Sequence, residues 1–271
     1  PYNYVLNNPI KLIDPDGKAP LDDYYTLLGG ELVYLGSDGS NSNNMRFVNS
    51  KGLSKFMQIR RRSSRKGNLL SKASKEDTKT LQSESVSKKI KTEENEGNII
   101  SLLLSQGNGL TADTEEDVIE RGASFYFDPD KAEIGMVISE MRRGKKDLHL
   151  SLSDYDVKSQ LKNPKAIVIG DVHTHGLADF FERKGDDEKV RRARDPQFQS
   201  YGDGRAAALG NRIVYSVDSK VVLKHTPNSR GNAFTGPKSA ASIRLKGSTQ
   251  DLLNGKFSIL RDAFETKAGK K

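Results

Sequence analysis

Residues 166–176, Ala-Ile-Val-Ile-Gly-Asp-Val-His-Thr-His-Gly, form the most informative stretch of this sequence. The continuous apolar run at its start is typical of a buried central β-strand. The run ends in His173-Thr174-His175, and residues i and i+2 of an extended strand point to the same face. The stretch therefore predicts a central strand with two imidazoles at its end, a usable pair of metal ligands.

Further short strands are predicted on both sides of this stretch. Residues 124–127 and 133–139 are β-like runs joined by an Asp-Pro-Asp turn, and residues 213–217 and 221–224 form a second predicted hairpin. Residues 99–122 have a helical pattern that ends at a glycine. Together these patterns predict an α+β fold in which a mixed or antiparallel sheet is flanked by helices.

A small β-hairpin segment is predicted nearer the start of the chain, over residues 21–50. Residues 24–28 and 31–35 are β-like and are separated by Gly29-Gly30, the spacing of a two-residue hairpin. Residues 45–48 are a predicted third strand.

Residues 51–98 differ in composition from the rest of the chain. An Arg-rich run over residues 60–66 leads into a Ser/Lys/Glu/Thr stretch with almost no aromatic residues. This composition favours a flexible basic and polar linker. A contact with nucleic acid is the alternative interpretation of the Arg run.

Residues 236–271 are predicted to be a basic C-terminal tail with an amphipathic helix. Ser248 and Asp251 have the spacing of a capping box. An apolar stripe follows at helical spacing, made of Leu253, Phe257, Leu260 and Phe264. The stripe favours packing of this helix on the domain, with binding to a partner as the alternative.

The composition excludes several kinds of site. Cys is absent, which excludes disulfides, Cys-ligated zinc, iron–sulfur clusters and a Cys nucleophile, so a metal must be held by carboxylates and the four His. No apolar window is long enough for a transmembrane helix, and the N-terminus lacks the pattern of a signal peptide. Lys and Arg number 44 against 36 Asp and Glu, and the net charge of +8 suits a nucleic-acid or membrane-surface partner as well as a solvated linker.

Three further residues complete a pattern with the two His. Ser200 and Asp203 stand at a predicted helix start, where their side chains share one end of the helix, and Glu133 opens a predicted strand. Two His and one Asp make a zinc site with three protein ligands and one open position, which is the catalytic arrangement. A carboxylate outside such a ligand set serves as general base, and a hydroxyl beside the metal stabilises an oxyanion.

In this order, Glu, His-x-His and Ser-x-x-Asp resemble the motif of the JAB/MPN metalloproteases over residues 113–227, within a predicted domain of residues 99–235. The resemblance implies a zinc-dependent peptidase or isopeptidase. It implies that His173, His175 and Asp203 are the zinc ligands, that Glu133 activates water and that Ser200 supports the tetrahedral intermediate.

The sequence departs from the family pattern between the second His and the Ser. Residues 176–199 intervene there, 24 in all, and Gly176 replaces the Pro that commonly follows the second His. Asp179, Asp186 and Asp187 within this insertion are alternative ligands, although Asp203 fits the family spacing better.

The N-terminus carries a second resemblance. Residues 1–17, PYNYVLNNPIKLIDPDG, resemble the end of an Rhs/YD-repeat core, and residues 1–20 are assigned to such a tail. Lys18 stands where many such cores have Leu near their self-cleavage site. The resemblance implies a secreted or injected bacterial toxin that acts in the cytoplasm of a target cell on a protein substrate and has a cognate immunity protein. Two alternatives remain open: a non-enzymatic adaptor or delivery segment, and a toxin directed at nucleic acid.

Overall fold

The computed structural model describes residues 22–38, 42–65, 70, 73–106, 121–139, 152–174, 180–184, 187–191, 212–217, 220–227 and 241–270. The chain forms two compact units. Unit 1 comprises residues 1–90 and 268–271, and unit 2 comprises residues 91–267. Each unit contains a mixed sheet with helices, which confirms the predicted α+β class. The predicted Rhs-like tail over residues 1–20 lies outside the described residues.

Unit 1 is built on a four-stranded sheet of order β2-β1-β3-β4. Strands β1 (Asp23–Leu28) and β2 (Glu31–Ser37) are antiparallel and joined at Gly29-Gly30, which confirms the predicted hairpin. Both glycines have positive φ, +61° and +87°, as a tight turn between twisted strands requires. The predicted third strand is present as β3 (Met45–Val48). It runs parallel to β1, and β4 (Ser87–Lys89) pairs with β3 at the edge of the sheet.

The predicted linker over residues 51–98 is wrong. The described part of this span forms helix α1 (Ser50–Arg65), helix α2 (Lys75–Gln82), β4, β5 (Lys91–Thr92) and the start of helix α3 (Glu96–Gln106). Its described apolar residues include Phe56, Ile59, Leu81 and Val86, which form one buried cluster with residues of the unit 1 sheet. Phe56 and Ile59 are fully buried, and the ring of Phe56 lies 5.4 Å from that of Tyr24.

Unit 2 is built on a seven-stranded sheet of order β13-β12-β11-β8-β6-β7-β5. The predicted hairpins are present. They are formed by β6 (Gly122–Asp128) with β7 (Glu133–Ile138) and by β11 (Val214–Val217) with β12 (Val221–Pro227). The strand predicted from the opening stretch is β8 (Ile167–Thr174), which lies between β6 and β11 near the centre of the sheet. Strands β9 (Phe180–Lys184) and β10 (Asp187–Arg191) pair only with each other in the described ladders.

Helices cover the unit 2 sheet on both faces. On one face, Gly170 of β8 lies beneath α6 (Ile259–Lys267), where a Cβ on Gly170 would stand 3.5 Å from the Cβ of Ala263. The same Cβ would lie only 2.8 Å from the carbonyl oxygen of Ile213, so the close approach requires glycine. On the same side, the rings of Phe127 and Phe264 pack edge to face at 5.0 Å. Helix α4 (Asp154–Leu161) packs on the other face through Val157. In the described part of the chain, no helix combines the length and apolar character needed to cross a membrane.

The prediction of a C-terminal tail is also wrong for the described residues from 241 to 267. Strand β13 (Ala241–Ser248) pairs with β12, and Ser248 then caps helix α5 (Thr249–Leu253). A turn at Gly255 separates α5 from α6, so the predicted apolar stripe does not form one helix. Its last members, Leu260 and Phe264, are fully buried in unit 2. Packing on the domain, the favoured interpretation of the stripe, is therefore confirmed for α6.

Candidate functional site

The candidate site lies at the C-terminal end of the central strand β8. His173 is the penultimate residue of that strand and is 9% exposed. Its neighbours across the ladders are Gly122 on β6 and Ser216 on β11. Gly122 has no side chain and Ser216 has a small one, so the imidazole is bordered by little bulk on either side. His173 is therefore held between two neighbouring strands at the end of a central strand.

The backbone at this end of β8 is fixed to the start of β6. The Thr174 amide donates to the carbonyl oxygen of Arg121 at 2.7 Å, and the Arg121 amide donates to the Thr174 hydroxyl at 3.0 Å. These two bonds fix Thr174, the residue that follows His173, to the start of β6. A ligand pair needs such support because coordination depends on the orientation of each ring.

A buried charged cluster lies on the same sheet face as His173. Asp171 precedes His173 by two residues, and its carboxylate accepts a hydrogen bond from the Ser124 hydroxyl at 2.5 Å. Arg212 forms an ion pair with Asp171 at 3.2 Å and also donates to the Leu152 carbonyl at 2.7 Å. Asp171 is 2% exposed, so this pairing compensates for the cost of burying its charge.

A second polar contact lies on the same face of the sheet, between strands β11 and β12. The Ser216 hydroxyl and the Nε2 of His225 lie 3.1 Å apart, and His225 is fully buried. His225 projects from β12, two strands away from β8 in the sheet. Ser216 thus stands between the two histidines. On the face that carries His173, polar side chains therefore occur on three neighbouring strands, and the buried Val214 and Leu223 lie among them.

Glu133 does not share this site. It is the first residue of β7 and pairs with Asp128, the last residue of β6, whereas His173 pairs with Gly122, the first residue of β6. The six-residue difference along β6 corresponds to about 20 Å. The prediction that Glu133 and His173 approach one another is therefore wrong. Their order in the sequence fits a shared site, but the strand register places them at opposite ends of the sheet.

Glu133 contributes instead to an electrostatic cluster at the far end of the sheet. Burial raises the pKa of Tyr126, and the nearby negative charges of Glu133, Asp128 and Glu93 raise it further. The tyrosine is therefore a neutral group at that end. The Cβ position of Gly135 lies 2.6 Å from the Tyr126 hydroxyl, so only glycine fits beside it without a shift of the ring.

The remaining predicted site residues, His175, Ser200 and Asp203, lie outside the described residues, as do the alternative ligands Asp179 and Asp186. Asp187 begins strand β10, and only its backbone is described. Within the described ranges, no cluster of three or more His, Cys, Asp or Glu side chains is arranged to hold a metal ion. Of the proposed zinc ligands, the structure thus places His173 alone.

Sequence reasoning missed the residues around His173. Asp171 was available from the same alternation that pairs His173 with His175, because residue i−2 shares their face. Ser124, Arg212 and Ser216 carry no such signal, since strand pairing and register bring them to Asp171 and His173.

We compared the chain with protein-family models, curated proteins and solved structures, and none of them matches it. The functional proposal therefore rests on the residues and geometry of the chain.

Proposed function

We propose that unit 2 is a zinc-dependent hydrolase of amide bonds, a peptidase or isopeptidase, whose centre lies at the C-terminal end of β8. The observation that carries the proposal is the position of His173. It stands at the end of the central strand, on the face that also carries Asp171 and Ser216, with a second histidine two residues further along the chain. Loops beyond strand ends are the usual location of binding and catalytic groups.

The donor set of this centre is chemically suited to zinc. His173, His175 and Asp203 would supply two imidazole nitrogens and one carboxylate, and three protein ligands leave one position open. When bound, zinc lowers the pKa of a coordinated water to about 7 and so supplies a nucleophile for hydrolysis. Ser200 would donate a hydrogen bond to the oxygen on which negative charge develops.

The general base of this proposal is a carboxylate at the His173 end of the sheet, in place of Glu133. Strands β6 and β7 both reach that end, where the Ser139 amide donates to the Gly122 carbonyl at 2.9 Å. Two glutamates adjoin these strand ends in the sequence: Glu140 follows Ser139, and Glu120 precedes Arg121. Their carboxylates are the candidates to take the proton from water.

Metal analysis of the purified full chain tests the zinc centre. We expect near-stoichiometric zinc, lost in His173→Ala, His175→Ala and Asp203→Ala, because each substitution removes one of three ligands. His149→Ala and Asp187→Ala are the matched controls and should retain the metal. Circular dichroism identifies any variant that fails to fold. Zinc retained at the wild-type level by folded His173→Ala and His175→Ala would refute the centre.

A growth assay with peptide hydrolysis as a second readout tests the base. Expression of the chain in a bacterial cytoplasm should inhibit growth, as a toxin does, and His175→Ala should abolish the effect. Loss of a general base typically lowers a rate by about 10²–10⁴-fold. We expect that loss in Glu140→Gln or Glu120→Gln with zinc retained, and near wild-type activity in Glu133→Gln. Collapse of activity in Glu133→Gln alone would contradict the register-based assignment.

The proposal extends to the whole chain through the resemblance of residues 1–17 to an Rhs core. On that basis the protein is a secreted or injected bacterial toxin with a protein substrate and a cognate immunity protein. Toxicity that persists in His173→Ala, His175→Ala and Asp203→Ala would instead favour the non-enzymatic adaptor.

A further inference from the structure

Helix α1 of unit 1 has a cationic surface that the proposed hydrolase does not use. Its 16 residues include six Lys and Arg and no acidic residue. One side of the helix is fixed to the unit 1 core: Gly52, Phe56, Ile59 and Ser63 are all buried there. Because the core side is fixed, the cations are held on a rigid support.

The cations face away from that core. Lys51, Lys55, Arg61 and Arg62 are exposed, and the spacings of four and seven residues place Lys51, Lys55 and Arg62 on one ridge. The helix is about 24 Å long at 1.5 Å per residue. Like charges at i and i+4 repel each other, so Lys51 and Lys55 do not stabilise the helix. Arg62 forms an ion pair with Asp77 of α2 at 2.6 Å while remaining 59% exposed.

We propose that this face of α1 binds the phosphate backbone of duplex DNA. B-DNA carries one negative charge per about 1.7 Å of helix axis, and its major groove is about 12 Å wide, enough for an α-helix. Arg and Lys are the principal phosphate ligands of such proteins. Ser54 and Gln58 are exposed on the same side as the cations and add neutral donors that also contact phosphates.

The chemistry of the helix favours DNA over a membrane. A helix that binds a bilayer surface inserts its apolar face into the lipid. In α1 the apolar face is occupied, because Phe56 and Ile59 are fully buried against the unit 1 sheet.

The exposed face also lacks what a protein interface needs. Such interfaces depend on a buried apolar or aromatic centre. Among the exposed residues of α1 whose side chains the structure describes, all are Ser, Gln, Lys or Arg. A uniformly charged polymer is the partner that matches this surface.

Fluorescence anisotropy with a labelled duplex of about 20 base pairs tests the proposal on the full chain. Two unrelated sequences are titrated between 50 and 200 mM salt, with EDTA present so that the result is independent of the zinc centre. The triple variant Lys51→Gln, Lys55→Gln, Arg61→Gln should bind more than tenfold more weakly. A plot of log affinity against log salt concentration should have a slope whose magnitude is smaller by about 2–3 for this variant. Each lost phosphate contact lowers that magnitude by about 0.9.

A control variant separates this surface from the overall charge. Lys131→Gln, Lys162→Gln, Lys165→Gln changes the net charge by the same amount at exposed positions of unit 2, and it should bind within twofold of wild type. Equal losses in the two triple variants would overturn the proposal. The proposal also fails if the duplex does not bind, or if the α1 cations are needed only for binding to vesicles that contain phosphatidylserine.

Discussion

Each unit contains a buried aspartate bound to an arginine, and the two are used differently. In unit 1, Asp22 is fully buried and accepts hydrogen bonds from Arg46 Nε at 2.5 Å, Ser42 Oγ at 2.7 Å and the Asn44 amide at 3.0 Å. A bond of 3.2 Å from Gln82 adds helix α2 to the same carboxylate. Asp22 therefore ties a loop, a strand and a helix together, which is a structural role.

In unit 2, Asp171 occupies a different kind of position. It accepts from Ser124 and Arg212, and it lies two residues before His173 on the same face of β8. Asp22 joins elements inside unit 1, whereas Asp171 lies near the end of the strand that carries the candidate ligand His173. The comparison shows that burial of an ion pair does not by itself identify a site, and that Asp171 is distinguished by its place on the face that leads to His173.

The largest expected effect is that of Asp22→Ala. This change removes the partner of Arg46, whose side chain is only 14% exposed, and breaking a buried pair costs about 3–5 kcal/mol. Denaturant unfolding, monitored by hydrogen exchange of the amides of residues 22–65, measures the loss in free energy of unfolding. Asp77→Ala, which breaks the exposed pair with Arg62, is the control and should cost about 0–1 kcal/mol. A similar cost for both variants would remove the distinction between a buried network and a surface pair.

Asp171→Asn should have a smaller effect on stability, about 1–3 kcal/mol. Asparagine retains an acceptor for Ser124, and Arg212 keeps its bonds to Asp154 and to the Leu152 carbonyl. If Asp171 serves the site, the variant should also bind zinc more weakly, because a negative charge close to the cation is lost. Asp22→Asn should leave zinc affinity unchanged, and an equal effect of both variants on zinc would contradict the comparison.

The acid sensitivity of Asp22 provides a third test. Burial alone would raise its pKa, but hydrogen bonds from Ser42, Arg46 and Asn44 outweigh burial and leave the pKa below its ordinary value of 3.8. The stability from Asp22 is therefore present above pH 3.8 and is lost as the pH falls through the lower folded-state value. The free-energy difference between wild type and Asp22→Asn should shrink below pH 3.8. A constant difference between pH 5 and pH 2.5 would argue against a lowered pKa.

Glu96 of unit 2 should affect stability with the opposite pH dependence to Asp22, and its effect should be the smallest of the four. Its carboxylate accepts from the Ile259 and Leu260 amides at the start of α6, at 2.8 and 3.0 Å, but burial raises its pKa above the ordinary 4.5. Its protonated form is favoured by folding, so the contribution is greatest below pH 4.5 and declines as the pH rises through the folded-state value. Glu96→Gln should flatten this decline in thermal unfolding curves recorded from pH 4 to pH 7, and an unchanged slope would rule out the effect.

The sequence predicted those elements whose signal is local. Gly29-Gly30 between two β-like runs requires a tight turn with positive φ, and the structure has that turn. The apolar run before His173 is buried whichever strands adjoin it, so β8 was predictable without knowledge of its neighbours.

The linker prediction failed because the residues that make this span fold are far apart in the sequence. Residues 51–98 contain few apolar side chains, yet Phe56, Ile59, Leu81 and Val86 come together in one buried cluster. The average composition of the span concealed these positions. A helix with one apolar face and one cationic face has the same composition as a disordered chain.

The sequence by itself predicted two imidazoles at the end of a buried strand, because alternation along a strand is a property of the backbone. It also determined that α1 is cationic, since no acidic residue interrupts its Lys and Arg. Only the tertiary structure decided which groups accompany His173. Strand pairing places Ser216 beside it and Glu133 about 20 Å away. The register depends on which strands pair and which faces become buried, and these are long-range contacts that spacing along the chain does not encode.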